Sequence, residues 1–154
     1  MDVKNTSAPT TAAVVAAPDL TSRPHRCAVD RDMKAAPSAL YKVWTRQFGE
    51  WFAAPGTLLT PGTVNTPFFF EVRENEVRHP HYGRYLRVER NKVIEITWVN
   101  AAVRGAGTVV TVEIGPRHRR TNLRVRHAGF QRTNRACSTM SRRGRASSKI
   151  STTG

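Results

Sequence analysis

The stretch 79–99, HPHYGRYLRVERNKVIEITWV, decides how the rest of the chain is read. Its second half alternates, with Ile94, Ile96 and Trp98 on one side and Glu95 and Thr97 on the other. That is the period-two pattern of a strand with one apolar and one wet face. YGRYLRVE before it has strand length and strand composition, and only the polar cluster RNK separates the two runs. So short a connection joins antiparallel neighbours.

The same reading extends in both directions. PFFFEV, TVVTVEI and TNLRVRHA are further strand-length runs, set off by the turn-like clusters RENE and GPRHRR. Phe68, Phe70 and Val72 share a side, as do Val110, Val112 and Ile114, and in the last run Leu123, Val125 and His127 oppose Arg124 and Arg126. Five strands of this kind predict a meander packed on one face and solvated on the other. Upstream the period changes. In PSALYKVWT, Pro37 suits a first helical turn and Leu40, Val43 and Trp44 fall at i, i+3 and i+4. RQFGEWF repeats that spacing with Phe48, Trp51 and Phe52, interrupted by Gly49, and predicts a second short helix. CAVDRDMKA, ahead of both, reads as a strand, and the Pro- and Gly-rich stretch 54–67 as an irregular loop.

The predicted order is a strand, two short helices and five strands: an α+β domain with a curved antiparallel sheet of about six strands. Two short helices do not cover the apolar face of such a sheet. A further apolar helix is required, and the only room for it lies after Phe130. The organisation expected is a flexible leader over 1–24, one domain over 25–130 and a tail over 131–154. A chain of 154 residues, 39% of them hydrophobic, suffices for a single core. The leader's AAVVAAP run is too short to span a membrane and lacks the basic start of a secretory signal. Cys27 and Cys137 lie far apart with no partner motif, so neither a disulfide framework nor a zinc site is suggested, and a reducing, cytoplasmic location is the expectation.

Net charge is +14, which by itself points to a polyanionic partner. The distribution weakens that inference: residues 131–154 hold six basic side chains and no acidic one, close to half the excess in under a sixth of the chain.

The stretches APSALYKVWT, WFAAP, PFFFEV, HPHYGRYLRVERNKVIEITWV, GTVVTVEI and TNLRVRHAGF, in this order over roughly 28–130, resemble the helix-grip superfamily of START-like or SRPBCC domains. Within it they are most similar to the family named for the C-terminal domain of the activator of the heat-shock protein 90 ATPase. NTPFFF departs from the family, many of whose members carry a Gly-Gly turn there. The resemblance implies a long amphipathic helix after the His-x-Gly-Phe end of the last strand. In this chain that helix is missing or non-native, since the resemblance stops at Phe130. Reading the tail's codons one base out of frame permits PANQSGMLNHEQAWPRVLEDLDDR, which restores a helical Trp-Val-Leu-Leu stripe and lowers the net charge to about +5. The tail is therefore expected to be disordered and frameshifted, not a nucleic-acid arm.

The superfamily also implies an apolar cavity between sheet and helix. The residues expected to line it are Trp44, Trp51, Phe52, Phe68, Phe70, Tyr85, Trp98, Val110, Val112, Leu123, Val125 and His127, although composition alone would read the aromatics as core. His127 is a weak candidate for a catalytic base, since no nucleophile motif accompanies it and a core histidine with a satisfied hydrogen bond is the more ordinary reading. HPH at 79–81 lacks a third ligand nearby and reads as a surface turn, not a metal site. No cofactor or metal is expected, and Glu95 is assigned no chemistry. The partner expected is a small apolar molecule; the family name adds a chaperone contact, and neither nucleic acid nor membrane is expected. The function anticipated is binding of a small hydrophobic ligand or a stress-linked accessory role. The alternatives are a polyketide cyclase or aromatase-like enzyme in the same cavity, or nucleic-acid binding through the tail.

Overall fold

A computed structural model describes residues 16–51, 53–57 and 62–132, with the backbone alone at Trp51. In chain order the elements are β1 (His25–Met33), α1 (Pro37–Thr45), α2 (Phe48–Trp51), β2 (Pro67–Glu74), β3 (Val77–Glu89), β4 (Val93–Trp98), a 3-10 turn (Ala101–Val103), β5 (Thr108–Arg117) and β6 (Arg120–Phe130). They form one antiparallel sheet in the order β1-β6-β5-β4-β3-β2. The meander is as expected, and β1 closes it by pairing with the last strand.

Tight turns set the registers. The β2–β3 hairpin turns at Asn75 and Glu76, with φ of 49° and 62°, the left-handed pair that matches strand twist. A bulge between Tyr85 and Arg87 shifts β3 against β4, so Tyr85 and Val88, three apart, both reach the core.

HPH at 79–81 lies inside β3 and is not a surface turn. Pro80 is tolerated there because β3 is paired at that point only with β2, opposite Glu71, and its ladder with β4 begins at Tyr85. His81 consequently points inward and is buried.

Inward parity elsewhere follows the sequence: Phe68, Phe70, Ile94, Ile96, Trp98, Val110, Val112, Ile114 and Leu123 are buried. On α1, with Pro37 in the first turn, Leu40 and Thr45 are buried, and Tyr41 and Trp44 pack against the core. Val43 stands outside that cluster, so the inward stripe is rotated from the expected one. Phe48 on α2 is wholly buried, stacked on Phe70 at 5.3 Å and edge-on to Trp44 at 5.7 Å.

The other face of the sheet is polar and charge-balanced at its β1–β6–β5 end. Asp30 pairs with Arg124 at 3.7 Å, Asp32 with Arg117 at 3.6 Å and Glu113 with Arg126 at 2.9 Å. Such exposed pairs add little stability, but they interleave the two signs where a uniform basic patch would otherwise stand. Glu95 belongs to this face and accepts a hydrogen bond from Thr111.

Two expectations are corrected at the start of the domain. Residues 16–24, read as part of a flexible leader, reach the ends of β5 and β6: Leu20 lies beside Gly129, Pro18 beside Gly107, and Arg23 donates to the Gly129 carbonyl at 3.0 Å. Cys27 is buried and disulfide-bonded, with its partner outside the described residues. Sequence separation carries no information on which segments meet, so the spacing of the cysteines did not show this. Among the described residues no helix is long and apolar enough to cross a membrane. The tail from residue 133, on which the expectations of disorder and a lost helix fall, lies outside the described residues.

Candidate ligand site

Trp98 is the hub of the inward face. Its ring lies 6.0 Å from Phe68, 5.5 Å from Phe70, 5.2 Å from His81 and 6.3 Å from His127, in tilted or edge-on contacts. These are favourable geometries for ring quadrupoles. Phe68 is seated by a glycine: it stands opposite Gly83, where a Cβ would meet the Phe68 ring at 2.8 Å and the Thr97 carbonyl at 2.0 Å. Only a residue without a side chain permits that approach.

Two buried histidines flank the hub in different ways. His81 stacks face-on with Phe70 at 5.0 Å, and its Nδ1–H donates to the His79 carbonyl at 2.9 Å. His127 is fixed by a relay. The Thr108 hydroxyl donates its single proton to the Trp98 carbonyl at 2.8 Å, and its oxygen lies 2.7 Å from His127 Nε2. A hydroxyl has one proton, so Nε2 must be the donor toward Thr108. The neutral ring is thereby held with its proton on Nε2 and a lone pair on Nδ1. Desolvation by burial lowers the His127 pKa to about 4, so the ring is neutral at physiological pH.

Phe130 caps this end, 4.6 Å from the His127 ring and edge-on to it. Its position depends on Gly129, which adopts φ 101° and is the extra residue of a bulge between the pairs His25–Phe130 and Arg26–Ala128. The glycine takes a conformation that other residues rarely adopt, and the bulge lets Phe130 follow His127 on one side.

The model of the family described as "Activator of Hsp90 ATPase homolog 1-like protein" matches residues 34–146. The chain belongs to this family. The Hsp90-activator-like match runs past Phe130, where the sequence reading had ended the resemblance. A comparison with curated proteins finds no match. Among solved structures, protein CV1439 from Chromobacterium violaceum superposes with a TM-score of 0.70 at 16% identity, over 85% of this chain and 100% of that one. The Aha1 dimer from Colwellia psychrerythraea gives 0.66 at 13% identity, over 82% and 96%. DynU16, a protein of the dynemicin biosynthetic locus, gives 0.67 at 17% identity, over 88% of this chain and 48% of its own. At such identities the likeness carries the helix-grip fold alone.

Within this Hsp90-activator-like domain, the expected cavity residues divide. Phe68, Phe70, Tyr85, Trp98, Val110, Val112, Leu123 and His127 are buried together, and Trp44 and Val125 pack partly buried against them. The side chain of Trp51 and the whole of Phe52 lie outside the described residues. Tyr85, Phe70 and Val112 have no exposed surface and serve as core. Sequence reasoning missed Thr108, His81 and Phe130. Thr108 shares the parity of Val110 and Val112, and that signal would have found it. His81 was obscured by Pro80, and Phe130 by the bulge at Gly129. Among the described residues no cluster of three or more His, Cys, Asp or Glu side chains is placed to hold a metal.

Proposed function

We propose that the domain binds a small apolar molecule against the inward face of the sheet, at the end where Trp98, His81, His127 and Phe130 meet. The observation that carries this reading is the Thr108–His127 relay. It sets an oriented, neutral polar group at the margin of an aromatic surface, and a site of that composition holds an apolar body while fixing its orientation. Apolar contact supplies about 25 cal/mol per Å² buried, offset by the entropy of association.

The enzymatic alternative, a cyclase-like reaction in the same place, makes His127 the base. With a pKa of about 4, His127 is a weak proton acceptor at neutral pH, and efficient general bases titrate near the working pH. Binding is therefore preferred over catalysis. The balanced charges on the opposite face give no support to a nucleic-acid surface there.

Titration of the full chain with an anilinonaphthalene dye at low and high salt tests the reading. Saturation near one dye per chain, with affinity that barely responds to salt, is the expected result. Unsaturable binding overturns it. Tight binding of single-stranded DNA that weakens steeply with salt supports the basic tail instead.

A further inference from the structure

We infer that His127 Nδ1 is a hydrogen-bond acceptor subsite that selects apolar ligands carrying a hydroxyl or N–H donor. The inference deepens the binding reading above and rests on it.

Thr108 gives its proton to the Trp98 carbonyl, so it can only accept from His127, and Nε2 is committed as the donor. Nδ1 is then an acceptor and nothing else. Among the described residues it bonds to no other group: the hydrogen bond through Nε2 and the ring contacts with Trp98 and Phe130 are the interactions of this side chain there. No buried side-chain nitrogen or oxygen among the described residues lacks a partner, so Nδ1, which has none, keeps contact with the outside of the core. Yet the residue as a whole is 91% buried, with 9% of its surface exposed. A lone pair so placed, on a ring that cannot reorient without breaking the Thr108 bond, is available to a ligand donor.

The surroundings decide the ligand class. The rings of Trp98 and Phe130 both pack against the His127 ring, so the ligand's body must be apolar and is best planar. A donor on that body satisfies Nδ1. A carboxylate or an ether does not, and an acceptor facing this lone pair is penalised because each loses hydration without gaining a bond. Binding sites built around a buried polar group discriminate strongly against analogues that lack its complement.

The test uses a matched pair, 1-naphthol and 1-methoxynaphthalene, measured by equilibrium dialysis against the full chain near neutral pH. Apolar burial alone favours the ether, which carries one more methyl group. A subsite at Nδ1 reverses that order, with 1-naphthol binding about fivefold more tightly. His127→Leu should restore the preference for the ether. Thr108→Val keeps the imidazole and the side-chain volume but removes the relay, and should reduce the preference for 1-naphthol because Nδ1 is no longer the obligatory acceptor. It also serves if His127→Leu fails to fold. Equal or ether-favouring affinities in the unmodified chain overturn the inference while leaving the binding reading standing. A 1-naphthol preference unchanged in both variants also overturns it. Saturable binding of neither compound overturns both readings.

Discussion

Thr108 and His127 meet across β5 and β6 with 2.7 Å between hydroxyl oxygen and Nε2, and the Trp98 carbonyl on β4 takes the hydroxyl proton. Three adjacent strands thus cooperate to fix one proton on one nitrogen. One consequence is the pH response of the whole domain.

His127 titrates at about 4 in the folded domain against an ordinary value of 6.5, so the unfolded chain takes up a proton that the folded one refuses. The contribution to stability is complete above about pH 6.5, declines as pH falls toward 4, and levels off below, for a total of about 3 kcal/mol. Arg23 donates to the Gly129 carbonyl and His25 pairs with Phe130, and neither bonds to the His127 ring. Urea unfolding across this pH range should show a steeper loss for the unmodified chain than for His127→Leu. Parallel curves would assign the acid sensitivity to other groups.

Gly129→Ala is expected to destabilise the domain by roughly 1 to 3 kcal/mol, because φ at 101° strains any other residue. The added Cβ would also stand 2.8 Å from Leu20 Cδ2 and 3.3 Å from Thr108 Cα. Part of the loss should be recovered in a Leu20→Ala background, which removes the first contact but not the strain. Full recovery would mean that the backbone conformation matters less than the crowding.

Phe70 touches Phe48, Phe68, His81 and Trp98 and has no exposed surface. Phe70→Ala should cost about 3 to 5 kcal/mol, a large part of the roughly 5 to 15 kcal/mol that holds a typical domain. Val77→Ala, at a half-exposed position on the β2–β3 hairpin, should stay within about 0.5 kcal/mol. Chemical denaturation of the two variants side by side checks the contrast, and comparable losses would contradict the assigned packing.

Replacing 131–154 by PANQSGMLNHEQAWPRVLEDLDDR should raise the melting temperature, since an apolar helical stripe would then be available to cover the inward face. Calorimetry of both chains in the presence of a thiol reductant measures it, because the replacement also deletes Cys137, the only other cysteine of the sequence, and Cys27 must be reduced in both for the comparison to report on the helix. A repaired chain that melts no higher removes the case for a lost helix and leaves the basic tail to be explained in its own right. Sequencing the gene across the Phe130 codon gives an independent answer.

The sequence by itself determined the element order, the meander and the inward side of nearly every strand. Period-two alternation is a local property, and short polar connections leave an antiparallel partner as the only reachable neighbour. Pro37 and the spacing of Leu40 and Trp44 placed α1 for the same reason. What only the tertiary structure decided are the features that depend on irregularity or on distant segments meeting. The bulge at Gly129 returns Phe130 to the side of His127, and Pro80 sits within β3 because only one neighbour needs its backbone there. Leu20 and Arg23 reach β6 across more than a hundred residues. The tautomer of His127 belongs to the same class: it follows from a proton shared out among Trp98, Thr108 and His127, on strands whose sequence separations say nothing of a hydroxyl held between a carbonyl and a ring nitrogen.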